Sequence, residues 1–137
     1  MNITFAILLI ITALGTFVYW FDFFKSGHVI VIKEDWHLKF EKAFPVADGW
    51  MAICALISAW GLLSGSNYGS VFALISAGSL IFLALMDITF NVQNGLYRKF
   101  SASTKMNVAV IINSWALFLG IALILKYGVW ANESLNI

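Results

Sequence analysis

The sequence predicts an all-α fold: a left-handed bundle of four transmembrane helices, with a short amphipathic interfacial helix between the first and second. Three observations predict it. Of 137 residues, 61% are hydrophobic and only 11% charged, against about 25% charged in an ordinary soluble domain. The apolar residues are gathered into long uncharged runs. The small and polar residues inside those runs recur at alternating spacings of four and three, the pattern of a left-handed helical seam.

The first uncharged run is Met1 to Phe21, with Phe23 and Phe24 beyond Asp22, long enough for a bilayer core that takes about 20 helical residues. It has neither the basic start nor the small-residue cleavage site of a signal peptide, so it reads as a retained span. The run Gly49 to Met86 would make a helix about 57 Å long, nearly twice the hydrocarbon thickness. It must therefore fold back, and the polar stretch Ser64-Gly65-Ser66-Asn67-Tyr68-Gly69-Ser70 is where it can turn. Met106 to Leu125 supplies the last span. The expected helices are about 3–24, 46–63, 71–94 and 105–127 of a single integral membrane domain.

Pro45 suits the first turn of the second span, where its missing N–H costs nothing, and Asp48 complements the helix dipole there. Ser103 and Thr104 are candidate caps for the last span. Between Lys25 and Pro45, Trp36, Phe40, Ala43 and Phe44 recur at helical spacing among charged residues, which indicates an amphipathic helix at the headgroups. The preceding run His28-Val29-Ile30-Val31-Ile32 fits a strand or a segment dipping into the membrane, and periodicity does not separate the two.

Lys25, Lys33, Lys39, Lys42, Arg98, Lys99 and Lys105 fall on the side of the two long connections, leaving Lys126 opposite. The positive-inside rule then puts both connections in the cytoplasm and both termini on the non-cytoplasmic side. Two glycosylation sequons, at Asn2 and Asn132, fall on that outer side.

The seams are Phe5, Leu8, Thr12, Gly15, Tyr19 and Asp22 in the first span, and Asp48, Ala52, Ala55, Ala59 and Leu62 in the second. The third contributes Ala73, Ala77, Leu80, Ala84, Asp87, Asn91 and Asn94; the fourth, Ala109, Asn113, Ala116, Gly120, Leu123 and Tyr127. Every seam turns polar toward the same, cytoplasmic end, which describes a polar funnel opening inward. Asp87 lies about 12 Å along the helix from Gly95, at a depth like that of Asn113, with Asp22 and Asp48 nearer the surface. An acid that deep is expensive unless protonated or paired, and Asn91 and Asn113 are its natural partners. Such a group can serve polar recognition or proton handling, or it can simply fix how the helices pack.

Other candidates have bland explanations beside their functional ones. Asp22, next to Lys25, reads as half of an interfacial ion pair. His28 and His37 lie in the charged connection without a metal-ligand spacing, as solvated or interface-bonded side chains; a metal site with Asp22 or Asp48 is the alternative. That position also disfavours bis-histidine haem. Tyr19, Trp20, Trp36, Trp50, Tyr97 and Trp130 make an aromatic belt. Gly61 and Gly65 form a GxxxG pair, of which the second glycine also serves the turn.

A net charge of +1 and a single cysteine, Cys54, exclude a nucleic-acid binder and a disulfide scaffold. No phosphate-binding glycine loop or zinc-protease motif is present, and no mid-membrane lysine could form a Schiff base. Ser58, Ser76 and Ser79 have no histidine on a span to activate them. The pattern asks for no metal and no cofactor. Its implied partner is the lipid bilayer, with other membrane subunits or a second copy of the chain as further ones.

The run Phe44-Pro45-Val46-Ala47-Asp48, followed by Asp87-Ile88-Thr89-Phe90-Asn91-Val92-Gln93-Asn94-Gly95-Leu96-Tyr97, resembles a family of small prokaryotic four-helix integral membrane proteins of uncharacterised function. The likeness covers roughly Phe17 to Tyr97, and it implies that Asp48 and the Asp87 block are family features without implying an activity. In architecture alone the chain is similar to the sterol-isomerase and sigma-2-receptor-like membrane proteins, which implies a pocket; the His and Glu of the isomerase chemistry have no counterparts on these spans.

The leading expectation is a non-enzymatic accessory or interaction subunit whose polar cluster specifies packing. The alternative is a binder or enzyme for a small lipophilic molecule, with Asp87 as hydrogen-bonding acid or general acid/base, Asn91 and Asn113 orienting it and Asp48 at the mouth. Proton or cation conduction is third, because no acid lies in the outer half of any span.

Overall fold

The computed structural model describes residues 2–98 and 103–129. Lys99, Trp130 and the second sequon lie outside them. The elements are α1 (Asn2–Lys25), α2 (Asp35–Glu41), α3 (Pro45–Leu63), α4 (Tyr68–Gln93) and α5 (Thr104–Leu123), which runs on into a π-helical turn, Ile124–Gly128. Four helical stretches are long and apolar enough to cross a membrane. No strand occurs among the described residues, and His28 to Ile32 is irregular.

Local chemistry sets the boundaries. Pro45 occupies the first turn of α3, and the Ser103 hydroxyl accepts from the Met106 N–H to cap α5. After α3, Gly65 takes φ +69°, and Ser66 N–H reaches back to Gly61 C=O at 2.8 Å. This is the Schellman arrangement, which needs a left-handed residue that glycine adopts without strain. Helix α4 begins at Tyr68, three residues before the expected Val71, because the turn needs no more than Ser64 to Asn67.

Helix packing runs in a line, α1 against α3, α3 against α4, and α4 against α5. At the α3–α4 contact the two backbones approach closely. A Cβ on Gly61 would stand 2.6 Å from Gly69 Cα, and one on Gly69 2.6 Å from the Gly61 carbonyl carbon. The close pair is thus Gly61 with Gly69 across the turn, while Gly65 serves the turn itself. Ser58 Oγ, fully buried, donates to Gly69 C=O at 2.8 Å and ties the same crossing. Buried alanines continue it on both helices. Small residues let helix backbones approach closely enough for dispersion contacts along their whole length.

Helix α1 departs from the expected seam by one residue. It buries Ala6, Leu9, Ala13 and Phe23, so the stripe from Phe5 to Tyr19 is rotated about 100° away from α3. Because α1 packs on α3 and not along α5, that stripe faces the gap between α1 and α5. Two bonds span the gap: Trp115 Nε1 donates to Thr12 Oγ1 at 3.0 Å, and Tyr127 OH to Asn2 Oδ1 at 3.3 Å. Phe5 packs edge-on against Tyr127. The terminal half of the bundle is therefore closed, and the half beside the long connections is not.

Candidate functional site

Below the Trp115–Thr12 bond the helices part around a cavity of about 600 Å³. Each of the four long helices contributes to its wall: Thr12, Gly15 and Tyr19 from α1, Asp48 and Met51 from α3, Leu83 and Asp87 from α4, and Met106, Asn113 and Ala116 from α5. Between them they supply a mostly apolar chamber with a few convergent polar groups, the usual makeup of a small-molecule site.

Asp87 lies six residues before the end of α4, and two amides fix it. Asn91 Nδ2 donates to Asp87 Oδ2 at 3.0 Å from one turn along the same helix. Asn113 Nδ2, from α5, donates to the same oxygen at 2.5 Å. Asn91 and Asn113 are themselves buried, and Asp87 is half-buried at the cavity wall. On the opposite wall, Trp20 Nε1 donates to Asp48 Oδ2 at 2.8 Å, joining α1 to α3. Of the six residues singled out from sequence, Asp48, Asp87, Asn91 and Asn113 thus meet at one cavity.

Asp22 and Asn94 do not. Asp22 turns away to organise the end of α1, with Oδ1 3.1 Å from His28 Nδ1 and Oδ2 accepting from Val29 N–H at 3.0 Å. Lys25, the expected partner, lies instead over the Phe21 ring, 5.0 Å from its centroid. The chain reverses right after Lys25, which brings His28 and the Val29 amide back to the carboxylate while Lys25 points along the helix surface. Asn94 caps its own helix by donating to Phe90 C=O at 2.8 Å, in an exposed position.

The connection closes the end that was expected to open. Val29 and Val31 line the cavity from below, and Ile32 is buried with Leu96 and Met106. Lys105 Nζ donates to Ile30 C=O at 3.1 Å and anchors the segment to α5. Helix α2 lies beside it, with Phe40 stacked face to face on Phe90 of α4, centroids 3.5 Å apart. Its buried face carries His37, only 3% exposed, rather than Trp36 and Ala43, which are exposed. His37 and Glu41 both line the cavity, with Nδ1 and Oε1 3.7 Å apart. The cavity is therefore covered at that end by the connection. Its mouth is lateral, between Val18 of α1, 68% exposed, and Ile111 of α5, 67% exposed, both of which line the cavity.

Four groups at this site escape the sequence reading. His37 and Glu41 reach it because α2 folds under the bundle, so a His and a Glu stand at the cavity without belonging to one of the four long helices. Trp20 and Trp115 are hydrogen-bonding braces, Trp20 being more than a belt residue. A tryptophan within reach of a buried carboxyl was the signal available for Trp20, since a buried indole N–H needs an acceptor. Among the described residues, no group of three or more His, Cys, Asp or Glu is placed to hold a metal ion. The chain matches no protein-family model, no curated protein and no solved structure.

Proposed function

We propose that the chain is a multi-pass integral membrane protein whose cleft between α1 and α5 takes a small lipophilic molecule from the bilayer and holds its polar end against Asp48 and Asp87. The observation that carries this reading is the cavity itself, walled by both acids and open sideways at Val18 and Ile111. A side opening faces acyl chains when the four spans stand in a membrane. The outward faces support that placement: Val18, Trp60, Phe82 and Phe118 are largely exposed, on a scale that soluble proteins avoid. In this reading the bundle is left-handed, as the four-three spacing implies, with both long connections cytoplasmic and both termini across the membrane.

Entry from lipid makes the polar groups decisive. An apolar body gains little by moving from acyl chains to Leu80, Leu83 and Ile112, because the two environments are alike. A polar head gains much, since hydrocarbon offers it no partners. The acids therefore select by head group and the cleft by shape.

The accessory-subunit reading draws on the two amides held to one oxygen of Asp87, a bond set that locks α4 to α5 whether or not anything binds. That network is the wall of the site and is compatible with both roles. Conduction has against it the packed half of the bundle, where Leu9, Leu119 and Leu123 are fully buried between the cavity and the terminal end.

Gly15 provides the test. It lines the cavity, and a Cβ there meets nothing within 4 Å, so Gly15→Leu starts from open space and adds its bulk at the cleft. Small molecules that co-purify in mild detergent should be retained at near-stoichiometric amounts by the native chain and lost from Gly15→Leu, read by extraction and mass spectrometry. The same complement on both proteins sinks the proposal.

A further inference from the structure

Resting on the reading that the cleft binds a lipophilic molecule, we propose that its occupant is an amphiphilic amine, with the ammonium between Asp48 and Asp87 and the apolar body lying in the cleft. The sign of the site argues for it. Glu41, Asp48 and Asp87 line the cavity, and among the described residues no Lys or Arg does. The groups that hold the two aspartates are all N–H donors: the Trp20 indole on Asp48, and the Asn91 and Asn113 amides on Asp87. Donors of this kind favour a carboxylate and do nothing to neutralise it. Neither aspartate has an ion pair with a basic side chain among the described residues. His37 faces Glu41 and so sits with the third acid.

A second observation points the same way. Glu41 Oε2 is buried and makes no hydrogen bond, although buried carboxyl oxygens ordinarily have a partner. An ammonium carries up to three N–H donors and a positive charge, the complement of a cavity lined by acids and holding an unpartnered carboxyl oxygen. Acidic lipids and fatty acids would bring negative charge against negative charge, an interaction that a low dielectric magnifies. Among the described residues a bare metal ion lacks its ligand set, and it would leave most of the 600 Å³ unfilled.

The test uses the full chain in phosphatidylcholine nanodiscs and three probes of one shape and different charge: phenylbutylamine, phenylbutanol and phenylbutyrate. Binding is read from the thermal midpoint and from tryptophan fluorescence, to which Trp20 and Trp115 in the cavity wall contribute. The amine should bind about tenfold more tightly than the alcohol, the difference expected for a hydrogen bond to a charged group, and the carboxylate not at all. Gly15→Leu should abolish the amine response, separating the site from bulk partitioning. Asp48→Asn should lower amine affinity about tenfold while leaving the alcohol within about twofold. Equal binding of amine and alcohol, or preference for the carboxylate, overturns the amine and leaves the lipophile site standing. If none of the three binds, both are overturned.

Discussion

The α3–α4 crossing and the α1–α5 gap are made from helices of similar length and hydrophobicity, yet one has no room inside it and the other holds a cavity. At α3–α4 the facing residues are Gly61, Gly69 and a ladder of alanines, and the backbones come together until a single Cβ would not fit. At α1–α5 the facing residues include Thr12, Tyr19, Asn113 and Trp115, and they stop the helices from closing. Three bonds hold the gap at its width: Trp115 to Thr12 across it, Trp20 to Asp48 on one wall, and Asn113 to Asp87 on the other. Close approach is bought with the absence of side chains; space is kept by polar side chains whose bonds have fixed lengths.

The comparison can be broken most severely at the seam. Gly69→Leu must push α3 and α4 apart, and overpacking of this kind costs about 3 kcal/mol or more; a large fall in the unfolding midpoint in detergent is expected, and an unchanged one would mean the crossing is loose. Next in size is Asp87→Ala, which leaves the Asn91 and Asn113 amides without their acceptor, a loss of about 1–3 kcal/mol. Asp87→Asn keeps an acceptor oxygen and should lose less, so the pair of midpoints measures the network. Trp20→Phe removes the brace on Asp48 while keeping most of the ring, and should cost about 1 kcal/mol. The smallest effect on stability belongs to Gly15→Leu. Replacing an open helical glycine should be neutral or stabilise by about 0.5–1 kcal/mol, although it fills the cleft. A strong destabilisation there would show that the space is not empty.

Much of the site was legible as pattern. Asp87, Asn91 and Asn113 share a polar end because their spacing along α4 and α5 places them there, and Asp48 follows from its position one turn into α3. The rest depended on neighbours. Asp22, like Asp48, is an acid at the polar end of its helix, but the reversal after Lys25 hands it the Val29 amide and His28 instead of the cavity. His37 and Glu41 look solvated in a charged segment, and become cavity residues because Phe40 stacks on Phe90 and draws α2 under the bundle. The α1 seam lies one position away from the expected one because a stripe of small and polar residues marks an inward face without saying whether that face meets a helix or a gap.

The amino-acid order by itself determined how many helices are long and apolar enough to span a membrane and which end of each is polar, since both are sums over neighbouring residues along one chain. Tertiary structure alone decided that α1 pairs with α3 and stands off from α5, that the connection seals the polar end, and that the opening is lateral. Those outcomes rest on how side-chain volumes and bond lengths from distant segments fit together, and no local stretch contains that information.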